Sequence, residues 1–171
     1  MCKTAATGRA VSPTPWATAT LRRGWALSPD GRLLASPNDK HIDLDDPVTG
    51  RHVRDLERPC ELEGDYAFTA DGKTLVSGGD DHTVRTWDAA THRTAVLEGH
   101  RAAVTAVAAC RDLLLTAGKD GAVLLWRGGA VVDRIDLAAS DDIPLALAAA
   151  PDGKSFAVGT DRGVVLVFAL Q

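Results

Sequence analysis

The chain has 171 residues, of which 45% are hydrophobic and 25% charged, with a formal net charge of −4. That length suits one ordinary domain, and the composition is globular rather than disordered or membrane-spanning. The acidic balance argues against a nucleic-acid surface, which carries a basic stripe; the longest basic run, Arg22–Arg23, reads as a solvated turn.

In chain order, residues 1–15 read as an irregular segment. Met1–Thr20 holds Lys3 and Arg9 but no apolar stretch of the length a secretory signal needs, and only Met1 precedes Cys2. Trp16–Leu21 is strand-like. A first landmark then recurs: Leu27-Ser28-Pro29-Asp30-Gly31-Arg32-Leu33-Leu34-Ala35-Ser36, the matching Phe68–Ser77, and Ala149–Val158. Each places an Asp–Gly pair between apolar stretches, the hairpin signal in which both turn positions take positive φ. A fourth copy, Ala109–Thr116, keeps the strand and shortens the turn. A second landmark follows: Gly78–Asp88, Gly118–Trp126 and Gly159–Phe168 each run from a glycine-acid turn into a β-branched strand closed by an aromatic. Trp87, Trp126 and Phe168 lie 39 and 42 residues apart. The corresponding Asn38–Asp45 is degraded, with Leu44 read at the aromatic place. Outer strands are expected at Arg51–Leu56, Arg93–Leu97 and Ala130–Leu137, and small-residue inner strands at Ala102–Ala109 and Leu145–Ala150. Helical periodicity is absent, so the chain reads as all-β. Four repeats of about 40 residues follow, at 16–56, 57–97, 98–137 and 138–171.

The apolar runs Leu145–Ala150 and Val164–Leu170 are too short to span a bilayer as helices. Cys2, Cys60 and Cys110 are odd in number and widely spaced, which reads as incidental thiols in a reducing cytoplasm. The richness in Ala, Arg, Asp and Gly suggests a GC-rich bacterial source.

With Gly99-His100 opening a repeat closed by Trp126, and Trp87-Asp88 in the one before, the chain from Trp16 onward resembles the WD-repeat (WD40) β-propeller family. The resemblance implies four-stranded antiparallel blades arranged radially. It also implies a hydrogen-bonded set within each blade: His100, Thr116, Asp120 and Trp126 in the third repeat, and Ser77, Asp81 and Trp87, without a histidine near Pro59–Glu61, in the second. The fourth repeat has Phe168 for tryptophan and Asp161 one place early, and the first keeps only Ser36. A buried relay stabilises only when every partner is satisfied.

No catalytic residue is expected. His100, Asp120 and Thr116 lack the nucleophile elbow and oxyanion turn of a hydrolase triad. Asp80-Asp81-His82 reads as a solvated turn rather than a metal site. Asp45-Asp46 and Asp141-Asp142 read as loop acids, and His41, His52 and His92 as isolated loop residues. Gly128-Gly129 opens no helix and makes no phosphate loop. No metal or cofactor is expected. Position in the family's blades makes Asp80, Arg101, Lys119 and Asp161 a partner-binding face of mixed charge.

Four repeats are about half of a seven-bladed ring, within a fold range of 4–8 blades. Three closures stay open: a homodimer forming an eight-bladed ring, a remnant or sensor segment of a larger protein, and a four-bladed ring within one chain. In the first, the strand-like Trp16–Leu21 supplies the missing outer strand, either to its own last blade or to a partner's. The expected function is a non-catalytic protein-interaction scaffold with other proteins as partners, and neither nucleic acid nor membrane. The alternatives are the remnant or sensor segment and a lactonase-like propeller hydrolase.

Overall fold

Short apolar-alternating segments between turn residues form strands, and the computed structural model, which describes residues 24–38, 41–57, 64–91, 93–137 and 142–170, pairs them in four antiparallel meanders. The first is β1 (Ala26–Leu27), β2 (Leu34–Pro37), β3 (His41–Asp45) and β4 (His52–Glu57). The second is β5 (Tyr66–Phe68), β6 (Thr74–Gly78), β7 (Thr83–Asp88) and β8 (Thr94–Glu98). The third is β9 (Val104–Cys110), β10 (Leu113–Gly118), β11 (Ala122–Arg127) and β12 (Ala130–Asp136). The fourth has three strands among the described residues: β13 (Pro144–Ala149), β14 (Ser155–Thr160) and β15 (Val165–Ala169). The inner strands β1, β5, β9 and β13 neighbour one another in turn, so the sheets succeed each other as propeller blades. Trp16–Leu21, Cys2, Cys60, His92 and Asp141 lie outside the described residues.

The Asp–Gly turns are built differently from the two-residue form expected. Only the glycines take positive φ, at +70° in Gly31, +69° in Gly72 and +66° in Gly153. Gly31 N donates to Ser28 O, and Ser28 N to Leu33 O, each at 2.8 Å, which makes a longer loop around a turn with Pro29 at its second position. The Asp30 carboxylate accepts from Ser28 Oγ and Arg32 N, at 2.6 and 3.1 Å. Asp71 does the same for Thr69 Oγ1 and Lys73 N. The aspartate therefore serves as a side-chain acceptor, and its backbone stays in the ordinary region.

Directly paired residues share a face of the sheet, and the registers show what each blade turns toward its predecessor. The second offers Leu75 with Trp87, and Ser77 with Arg85. The third offers Leu114 with Trp126, and Thr116 with Leu124. The fourth offers Phe156 with Phe168, and Val158 with Leu166. In the first blade the matching pairs are Leu34 with Asp45 and Ser36 with Asp43. Leu44 therefore does not stand at the aromatic place, as the sequence suggested. The turn between β2 and β3 is one residue shorter than its counterparts, and a one-residue slip moves a side chain to the opposite face. Leu44 pairs with Ala35 and points into the next blade, while Asp45 occupies the aromatic's position. The turns confirm the alignment: Asp46 Oδ1 accepts from Val48 N and Thr49 N as Asp88 Oδ1 accepts from Ala90 N and Thr91 N.

Each interblade space is a buried apolar cluster. Ala35, Ile42 and Leu44 meet Tyr66, Phe68, Leu75 and Trp87. Val76 and Val84 meet Val104, Leu114, Leu124 and Trp126. Leu115, Ala117, Val123 and Leu125 meet Phe156, Val158 and, partly buried, Phe168. Each buried aliphatic or aromatic side chain contributes about 1.5–3 kcal/mol relative to exposure. The face that the fourth blade turns outward carries Ala157, Val165 and Val167, and there Val165 and Val167 are 67% and 72% exposed.

Candidate functional site

The third blade holds a hydrogen-bonded chain whose proton positions follow from its donors. An indole nitrogen can only donate, so Trp126 Nε1 donates to Thr116 Oγ1 at 2.8 Å. The threonine hydroxyl then gives its own proton to His100 Nε2, also at 2.8 Å. That leaves the imidazole protonated at Nδ1, which donates to the Asp120 carboxylate at 3.0 Å. Asp120 accepts further from Arg101 N at 2.9 Å and Ala122 N at 3.3 Å. Thr116 is fully buried and His100 8% exposed. The hydroxyl is thus doubly engaged and closed off from solvent, so this set ties the segment leading into β9 to β10, β11 and the turn between them, and offers no nucleophile.

Burial lowers the His100 pKa below its ordinary value, against the opposing pull of the Asp120 carboxylate. Asp120 is raised by burial, but its bonds from Arg101 N and His100 outweigh this and hold it below the usual carboxylate value. A histidine whose folded pKa lies below its unfolded value takes up its proton first in the unfolded chain. Stability should therefore fall as pH drops below about 6.5. Urea midpoints at successive pH values should show this slope, and His100→Gln should flatten it.

The second blade does not assemble the corresponding set. Ser77 Oγ is buried and has no hydrogen-bond partner among the described residues. Trp87 Nε1 donates instead to Glu57 O of the first blade at 3.0 Å. Asp81 turns to Thr83 and to Arg85 Nη2, the latter at 2.8 Å. Burial raises the Asp81 pKa, yet Arg85 and Thr83 bring it down to about 2. His82 sits exposed in the turn at φ 69°. In the fourth blade, Val158 stands at the serine position and Phe168 stacks on Phe156, with centroids 5.2 Å apart.

Asp80, Arg101, Lys119 and Asp161 are all exposed, beside the turns into the third strands or the entrance to an inner strand. Lys119 N donates to Ala103 O, and Asp161 N to Ile143 O, so these turns are tied to the strand entrances. Asp161 is also engaged through its side chain, with Oδ1 accepting from Ile143 N at 2.9 Å.

Two expectations about histidines and acids are corrected. His41 and His52 lie on β3 and β4, not in loops, and Asp45 is a buried strand residue, 8% exposed. His41, Asp43 and Asp45 alternate along β3, and a bulge between Leu44 and Asp45 brings β4 into register so that Asp43 faces Asp55 and Asp45 faces His52. The period-two spacing His41-x-Asp43-x-Asp45 was the available signal, but the bulge that adds His52 and Asp55 leaves no mark in the sequence. Asp142 is likewise buried, 7% exposed, with Oδ1 3.7 Å from Arg162 Nε.

The family model "WD domain, G-beta repeat" matches residues 64–88 and 91–127. The chain is 40% identical over 105 residues to methylosome protein WDR77 of Xenopus laevis, covering 56% of this chain and 31% of that protein. It is 32% identical over 106 residues to the U3 snoRNP-associated protein-like EMB2271 of Arabidopsis thaliana, covering 60% and 22%. To the target of rapamycin complex subunit wat1 of Schizosaccharomyces pombe it is 25% identical over 149 residues, covering 84% and 48%. The chain thus spans less than half the length of each of these relatives. Among solved structures, the computationally designed Ika4 protein superposes with a TM-score of 0.71 at 25% identity, covering 86% of this chain and 90% of that one. Four propeller blades, a buried Trp–Thr–His–Asp chain and the repeat match over residues 64–88 and 91–127 together show blades of the WD-repeat (WD40) type in this chain.

Proposed function

We propose that this chain is a non-catalytic protein-interaction scaffold that acts by lending its blades to a larger propeller surface. The observation that carries the reading is the outward face of the fourth blade. Its three counterparts are covered by the next blade, whereas Val165 and Val167 stand open. Exposed apolar faces of this kind mark contact surfaces. Since the face repeats the β-pattern of the covered ones, what fits it is a WD-type blade with an aromatic at the Trp126 position. The relatives named above include subunits of larger assemblies by their printed names, which supports the same reading.

A second copy closing an eight-bladed ring is the second reading, favoured by the count of four blades. It sets each Val165/Val167 face against a partner's Asp43, Asp45 and His41, and burying carboxylates against valines is costly. Light scattering after size exclusion separates the two. A species of 18.0 kDa supports a partner of different sequence. A species of twice that mass, returned to monomer by Val167→Asp, supports the homodimer. A monomer that remains soluble and binds no WD-type partner at any concentration tested would sink the scaffold reading. The mixed charges of Asp80, Arg101, Lys119 and Asp161 suit a protein partner better than one highly charged ligand.

A further inference from the structure

We propose that the outward face of the first blade binds a divalent transition metal, zinc(II) by its ligand chemistry, through His41, Asp43, Asp55 and His52. Among the described residues, the donor atoms of His41, Asp43 and Asp55 all lie within 4.8 Å of one another. His41 Nε2 is 2.9 Å from Asp43 Oδ1 and 3.4 Å from Asp55 Oδ1. His52 Nε2 is 3.1 Å from the same Asp55 oxygen, so it reaches the set by a small rotation. Zinc bonds of about 2.0–2.2 Å in a tetrahedron put neighbouring ligand atoms about 3.4 Å apart. The atoms already stand near that spacing.

Two features point to a cation rather than to mutual hydrogen bonding alone. Asp43 and Asp55 are directly opposite across β3 and β4, a like-charge pairing that destabilises a sheet and that a cation bound between the carboxylates would relieve. The ligands are also oriented from behind. Asp45 Oδ1 holds His52 Nδ1 at 3.1 Å, which directs the Nε2 lone pair to the site. Asn38 Nδ2 donates to Asp43 Oδ1 and Oδ2 at 3.0 Å. Carboxylate behind imidazole is the usual support of a zinc-bound histidine. Imidazole donors favour zinc over calcium, which takes 6–8 oxygens. The metal would lie next to Asp45, which takes the aromatic's place in this blade, and would hold β3 to β4.

The test is calorimetric titration of the EDTA-treated full chain with zinc chloride, with magnesium chloride as the reference. One zinc per chain, not reproduced by magnesium, is the expected result, with a raised melting temperature on saturation. His41→Gln and Asp55→Asn should each weaken binding about tenfold or more, Asp45→Asn roughly 10–100-fold, and His82→Gln not at all. Cobalt(II) should give the visible bands of a tetrahedral site, lost in Asp55→Asn. Without metal, Asp55→Asn should melt no lower than the parent chain, because it removes a like-charge pair. No zinc binding, or binding that survives both His41→Gln and Asp55→Asn, overturns the proposal. So does a metal-free Asp55→Asn that melts lower, since the carboxylate would then be serving the imidazoles alone.

Discussion

Thr116→Val is expected to destabilise the fold by about 2–4 kcal/mol, although it barely changes side-chain volume. The valine leaves two buried groups without partners: the Trp126 indole N–H, which can only donate, and the His100 Nε2 lone pair. Neither finds water, because both sit between the second and third blades. Each unsatisfied buried group costs about 1–3 kcal/mol, and partial relaxation keeps the total below the sum. The matched substitution one blade earlier should behave oppositely. Ser77 Oγ is buried and unpartnered, so Ser77→Ala removes a desolvated hydroxyl and should be neutral or stabilising by about 1 kcal/mol. Urea unfolding followed by tryptophan fluorescence reads both. Equal losses in the two variants would mean that the second blade also forms a relay.

Gly64→Ala should cost about 3 kcal/mol or more and in the limit prevent the second blade from closing onto its inner strand. A Cβ built on Gly64 would fall 1.8 Å from the carbonyl oxygen of Gly78 and 2.6 Å from its carbon. Those are backbone atoms at the end of β6, and Gly78 N is itself bonded to Asp65 O at 3.2 Å. Neither side can rotate away, as a long side chain would. Gly31→Ala is the contrast: nothing lies within 4 Å of its Cβ, and the only penalty is the positive φ of +70°, about 1 kcal/mol. The difference in urea midpoint between the two variants separates steric exclusion from backbone preference. Equal effects would show that the close approach of Gly64 to Gly78 is not maintained.

Much of this was legible from local patterns. Asp–Gly turns, period-two strands and the spacing of Trp87, Trp126 and Phe168 led to four all-β repeats and to strand bounds within about two residues. The His100–Asp120–Thr116–Trp126 set was reached through a family resemblance and then appears as one continuous hydrogen-bonded chain. The second blade shows the limit of that step. Ser77, Asp81 and Trp87 have the right residue types at the right spacing, yet with no histidine between them Arg85 takes the aspartate and Glu57 the indole. Residue type establishes what a side chain can bond, and competition among neighbours establishes what it does bond.

By itself the sequence determined the repeat, the strand order within each blade and the absence of helical periodicity, because these depend on residues close along the chain. The tertiary structure decided which face each residue occupies. A turn shortened by one residue sends Leu44 into the core and puts Asp45 where an aromatic stands elsewhere, and a bulge then sets Asp43 against Asp55 and Asp45 against His52. Register is an alternation with period two, so one residue more or less exchanges the faces of a strand. For that reason the two ends of this array, one lined with valine and the other with histidine and aspartate, emerge only when the strands are paired.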